Sequence, residues 1–169
     1  MSRPIVTIQE SDVDVGAELE TLHRDDVGVG AVASFVGTVR GGIGAQAIEA
    51  LTLEHYPGMT ERAIGAMVDE ARRRFAIGGV RIVHRVGRLR PGDRIVLVAV
   101  ASAHRADAFR ACEFLMDYLK TQAPFWKKES GPEGERWVDA RVADDAALAR
   151  WGIASTNAAS DEFGGSLRR

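Results

Sequence analysis

Residues 94–101 read RIVLVAVA, seven apolar side chains in succession after a single arginine. A strand that is apolar on both faces cannot lie with one face in water, so this segment should run centrally in a sheet. Its neighbours must supply the remaining strands and the covering helices. Val80 to Val86 reads as a second strand, joined to the first by a Pro91-Gly92-Asp93 turn. Gly28 to Arg40 is rich in small and β-branched residues and reads as a buried strand that the glycines of Gly41 to Gly44 interrupt. Ala47 to Tyr56 resumes as a strand with Leu51 and Leu53 on one face, and Ile5 to Gln9 alternates weakly as a first strand.

Two long helices are expected. From about Thr60 to Phe75, Ala63, Ile64, Met67, Val68, Ala71 and Phe75 form one stripe, with Arg72 to Arg74 suiting the negative end of the dipole. From about Ala103 to Thr121, with Ser102 as the expected cap, the stripe is Ala108, Phe109, Cys112, Leu115, Met116 and Leu119. A shorter amphipathic helix is expected over Val15 to Arg24. A closing hairpin is expected from Phe125 to Glu129 and Arg136 to Arg141. Strands and helices in this order indicate an α+β domain with helices against a largely antiparallel sheet.

Composition narrows the class. The 169 residues suit one domain over 1–151, and the small, polar stretch 152–169 reads as a disordered tail. No apolar run approaches the ~20 residues of a membrane span, and the opening MSRPIVTIQESDVDV has no secretory pattern. The net charge of −2 argues against a nucleic-acid partner held by bulk charge. The lone Cys112 excludes a disulfide framework and a cysteine-rich zinc site, and fits a reducing cytoplasm.

The basic residues are distributed unevenly. The only lysines of the chain are Lys120, Lys127 and Lys128, whereas arginine is used everywhere else. An amine can lose its proton and act on an acyl carbon where a guanidinium cannot, so the segment YLKTQAPFWKKE invites chemistry. Lys120 falls four residues after Met116 and eight after Cys112, which continues the apolar stripe and predicts an amine with its charged form disfavoured. Against this, a lysine at a helix C-terminus can be merely a dipole partner. Ser102-Ala103-His104-Arg105 sits at a strand-to-helix junction, where free N–H groups, a His and an Arg suit an anion. Arg40 ends a strand beside a glycine-rich loop and offers a bidentate fork for phosphate or carboxylate. Gly28 to Ala33 mimics a dinucleotide fingerprint but lies inside a strand, which excludes it.

The segments FVGTVR, LTLEHYPGMTERAI, HRVGRLRPGD, VASAHR, MDYLKTQAPFWKKE and GERWVDAR occur in this order over roughly residues 3–151. In this the chain resembles the MoaE family, the large, catalytic subunits of molybdopterin synthase. The resemblance implies an α/β hammerhead-type domain with an additional antiparallel β subdomain. It implies transfer of sulfur from the C-terminal Gly-Gly thiocarboxylate of a small ubiquitin-like carrier of the MoaD type. The acceptor would be cyclic pyranopterin monophosphate (precursor Z), converted to the molybdopterin dithiolene without a metal or other cofactor. It implies a homodimer within a heterotetramer, acting in the cytoplasm with no nucleic acid or membrane partner. By position, Lys120 and Lys127 match the family's essential lysines, and Arg40, His104 and Arg105 its anion-binding residues. Part of that anion pocket is implied to come from a dimer mate; Phe35, Met116 and Arg141 are further implied pocket residues, whereas Lys128 is assigned no catalytic part. Two other readings stand beside this one. The first is a binding module that holds the carrier tail without processing it. The second is a phosphate-binding hydrolase using His104 with Asp107.

Overall fold

The computed structural model describes residues 3–138 and 142–154. The end of the expected closing strand and the tail from residue 155 lie outside the described residues. Among these residues eight strands and four α-helices follow one another: β1 (Val6–Gln9), α1 (Val15–Glu20), β2 (Ala31–Thr38), β3 (Ala50–His55), α2 (Met59–Arg74), β4 (Val80–Arg85), β5 (Gly87–Leu89), β6 (Arg94–Ser102), α3 (Arg105–Gln122), β7 (Phe125–Gly131), β8 (Gly134–Val138) and α4 (Val142–Ala149).

The strands do not form one sheet. Among the described residues they make two four-stranded sheets, ordered β1-β4-β6-β2 and β5-β3-β7-β8. In the first sheet β6 is interior as expected, antiparallel to β4 on one side and β2 on the other. β1 runs parallel to β4, with Val6 opposite Ile82. In the second sheet every pairing is antiparallel.

The double-faced apolar character of β6 now has its reason. Val96, Val98 and Val100 meet α2 and α3 through Ile64, Met67, Val68, Cys112 and Leu115. Leu97 and Ala99 face the opposite way, onto Val13, the α1 side chains Val15 and Leu19, and Leu22 just beyond α1. Phe114, wholly buried, makes edge contacts with Phe75, Tyr118 and Trp151. Burying such a side chain contributes about 1.5–3 kcal/mol. A smaller core of Val39, Leu51, Leu53 and Leu89 lines the second sheet.

Polar groups fix the outer layers. Arg81, 6% exposed on β4, donates to both carboxylate oxygens of Glu18 on α1 at 2.6 and 3.2 Å, and to Pro4 O and Thr7 Oγ1. These bonds hold the Glu18 carboxyl below its ordinary pKa. α2 starts after Pro57-Gly58, where Gly58 takes φ +81° and its N–H donates to Glu61 at 2.7 Å.

Two local expectations are corrected and one element is added. Ser102 does not cap α3: its hydroxyl donates to Ala76 O, ties the strand end to the loop after α2, and leaves His104 as the N-cap residue. α1 stops at Glu20 and the chain continues through turns rather than a further helical turn. α4 was not expected, because a run such as VADDAALA carries little amphipathic signal. It packs on α3 around the buried Leu148.

Candidate active site

α3 crosses the face of the first sheet and frames a cleft at each end of its exposed side. The first cleft, about 470 Å³, lies at the helix start and is lined by Gly30, Ala103, His104, Arg105, Ala106 and Phe109. His104 has extended backbone (φ −130°, ψ 140°) and no side chain caps the helix start, so the first amides of α3 stay available to an anion. The cleft depends on a close approach of two backbones. The Gly30 N–H donates to Ser102 O at 3.0 Å, and a Cβ on Gly30 would stand 2.3 Å from the Ala103 carbonyl oxygen. The glycine that mimicked a dinucleotide motif is therefore a packing glycine.

The second cleft, about 390 Å³, lies toward the helix end and is lined by Phe35 and Ser34 of β2, Cys112, Met116 and Lys120 of α3, and acidic Glu113, Asp117 and Asp144. Here the structure brings together three sequence-assigned residues: Phe35, Met116 and Lys120. Lys120 itself is exposed, contrary to the expectation of an amine sunk in the apolar stripe. The reason is helix geometry: each four-residue step advances about 40° round the axis, so Lys120 has turned about 80° from Cys112. It stands at the rim, with Met116 (8% exposed) behind it. Cys112 lines the same wall, but burial pushes its thiol up to about 11, which keeps it protonated and unreactive.

Phe109, assigned to the core stripe by its spacing, is 67% exposed and borders both clefts. It projects beside β2, which is the edge of its sheet, so no further strand lies there to cover it. The acidic lining was also missed by sequence reasoning. Asp144 belongs to the unexpected α4. Asp117 accepts the Trp151 indole N–H at 2.8 Å, which ties the chain after α4 to α3. Carboxylates at i, i+4 spacing on an apparent solvent face, Glu113 and Asp117, were the available signal.

The remaining assigned residues stand elsewhere. Arg40 is exposed beyond the end of β2 and lines neither cleft. Ala31, at the other end of β2, pairs with Ser102, so Arg40 is about 30 Å along the strand from the His104 end. His104 and Arg105 are likewise about 22 Å along α3 from Lys120. Lys127 lies on β7, opposite Leu53 of β3, and its cation acts on His84 rather than in the Lys120 cleft. Lys128 pairs with Glu135 at 3.0 Å and lies over the Trp137 ring, a structural contact. Arg141 lies outside the described residues. Among the described residues, no group of three or more His, Cys, Asp or Glu is placed to hold a metal ion.

Two four-stranded sheets, three helices on the first of them, and clefts at the two ends of α3 define an α/β hammerhead-type protein with an added antiparallel β subdomain. Comparison with known proteins is specific. Residues 8–122 match the family model described as MoaE protein. The chain is 55% identical to the molybdopterin synthase catalytic subunit of Ralstonia nicotianae, over 93% of this chain and 89% of that one. It is similar to the solved MoaE protein of Burkholderia ambifaria (TM-score 0.76, 56% identity, 89% and 99% of the two chains). It is also similar to molybdopterin synthase from Staphylococcus aureus (TM-score 0.75, 32% identity, 82% and 99%). The chain belongs to the MoaE family.

Proposed function

We propose that this chain is the catalytic subunit of a molybdopterin synthase. It takes sulfur from the C-terminal thiocarboxylate of a small ubiquitin-like carrier and delivers it to cyclic pyranopterin monophosphate, forming the dithiolene. The observation that carries the reading is the cleft that unites Phe35, Met116 and Lys120. An extended carrier tail ending in Gly-Gly has no side chains to anchor it, and suits a slot with an apolar wall and one cation at its rim.

In this reading Lys120 lies against the terminal carbonyl of the carrier. Its ammonium polarises that carbonyl and stabilises the charge that develops as the sulfur attacks the pterin. The sulfur displaces an oxygen substituent of the pterin side chain, and the acyl–sulfur bond is then hydrolysed, water taking the acyl group and leaving a carboxylate on the carrier. A second thiocarboxylated carrier supplies the second sulfur in the same way. Lys127 serves the same chemistry by moving protons. Arg40, His104 and Arg105 grip the phosphate of the substrate, and Arg141 adds to the pocket.

The distances along β2 and α3 bear on how such a site is assembled. Arg40 and Lys120 belong to one end of the domain and His104 with Arg105 to the other, too far apart to hold one small molecule. A homodimer in which a second copy presents its α3 start to the Lys120 cleft resolves this. One carrier at each end completes a heterotetramer. The folded unit of this proposal is residues 1–151, with 152–169 as a tail, working in the cytoplasm. Among the described residues no helix is long and apolar enough to cross a membrane.

The test is reconstitution with thiocarboxylated carrier and precursor Z, reading out the dithiolene pterin. Wild type is expected to turn over, and Lys120→Ala to fall below about a tenth of that rate, a barrier increase above about 1.4 kcal/mol. A variant that keeps more than that removes Lys120 from the chemistry. Carrier binding without product from wild type would instead mark a binding module.

A further inference from the structure

His84 lies where the two sheets meet, and neither the fold's core nor the proposed chemistry accounts for it. It is the last β4 residue registered with β6, opposite Val96, and only 6% of it is exposed. Its ring leaves the first sheet and stacks on Phe125 of the second, with centroids 3.8 Å apart and planes 15° apart. Its Nδ1 is 2.8 Å from the Arg85 carbonyl oxygen, which can only accept. Nδ1 therefore carries the hydrogen, and the ring has one fixed tautomer and orientation.

Phe125 opens β7, and Lys127 follows two residues later on the same face of the strand. On β3 the partners of these two residues are His55 and Leu53, the latter 1% exposed. A second clamp holds the same corner: Thr60 Oγ1 accepts the Tyr56 N–H at 3.0 Å and donates to Pro124 O at 3.2 Å. The groups that face His84 are thus Phe125 and Lys127 from β7 and His55 from β3, and His55 lies 4.0 Å from Glu61 of α2.

We infer that His84 is a positioning residue for Lys127: by stacking on Phe125 it sets the start of β7 against the first sheet and so fixes where the Lys127 amine stands. The inference rests on the reading that Lys127 takes part in sulfur transfer. A stack of the buried His84 ring on the half-buried Phe125 ring holds the strand more firmly than an aliphatic contact, because near-parallel rings attract one another beyond what the area they bury contributes. The residues that act on the substrate must be held to within a fraction of an ångström, and the first sheet, with its large core, is the rigid body available to do it.

The experiment compares His84→Ala, His84→Phe, Phe125→Leu and Lys127→Ala in the reconstituted complex with thiocarboxylated carrier and precursor Z. kcat and KM are measured for each, and a thermal melt confirms folding. Misplacement of a reacting group by about 1 Å costs up to about 100-fold, so His84→Ala and Phe125→Leu are expected to lower kcat by about 10- to 100-fold with little change in KM. His84→Phe keeps a flat ring on Phe125 and is expected to recover most of the rate. Wild-type kcat in both His84→Ala and Phe125→Leu, with Lys127→Ala inactive, overturns the inference and leaves the Lys127 reading standing. A folded His84→Phe as slow as His84→Ala overturns the stacking argument. Full activity of Lys127→Ala overturns the role of Lys127 and this inference with it. Should His84→Ala fail to fold, Phe125→Leu against His84→Phe decides the matter.

Discussion

The buried imidazole of His84 should make the stability of this protein depend on pH beginning well above the range in which its carboxylates titrate. Burial, the first cause, with the nearby Lys127 and His55 adding to it, pushes the His84 pKa from 6.5 down to about 4. Above pH 6.5 the ring is neutral in both folded and unfolded chains and costs nothing. As the pH falls from there toward about 4, the unfolded chain binds a proton that the folded chain refuses, so stability is lost. The whole loss is about 3 kcal/mol, of which about 2 kcal/mol has gone by about pH 5. Asp12, Glu18, Glu70 and Glu135 are also shifted down, but from ordinary values of 3.8 or 4.5, so most of their loss falls at lower pH. The assay is urea unfolding of wild type and His84→Phe at about pH 7.5 and about pH 5, comparing the change in unfolding free energy within each protein. Wild type should lose about 2 kcal/mol more than the variant over that interval. Curves that move in parallel would refute the reasoning, because every other titrating group is common to both proteins.

Two further perturbations follow from the packing. Gly30→Ala puts a methyl group 2.3 Å from the Ala103 carbonyl, where backbone must yield. It should cost about 1–3 kcal/mol in denaturant unfolding and lower the rate with phosphate-bearing substrate, and unchanged stability would show that the approach is looser than described. Phe114→Ala empties the site where Phe75, Tyr118 and Trp151 converge, and should cost about 3–5 kcal/mol in the same measurement. A cost below about 1 kcal/mol would mean that α4 and Trp151 collapse into the space.

The chain made some of this architecture readable and hid the rest, for identifiable reasons. Long periodic elements were legible: α2 and α3 were expected within a few residues of where they lie, and the β6 run announced an interior strand. The division into two sheets was not, because strand period reports which face is apolar and not which strand is the neighbour. β5, three residues long, carries too little pattern to separate from the turn before β6. α4 escaped because its stabilising contact is a tertiary one, Leu148 packed on α3.

The site divides in the same way. Residue types and spacing alone determined that the only lysines cluster at one helix end and that a turn carrying His104 and Arg105 opens that helix. Phe35 and Met116 entered through the family's motifs, and the fold gathered them with Lys120 into one cleft. Only the tertiary structure decided that Lys120 stands at a rim rather than in the core, since the 40° drift per four residues matters only relative to a particular sheet edge. Only the tertiary structure separated Arg40 from His104 by the length of β2, and only it laid His84 of one sheet on Phe125 of the other. Composition and periodicity are local properties that any segment carries by itself. Distance between sheets, and the exposure of an edge, exist only once the whole chain has closed.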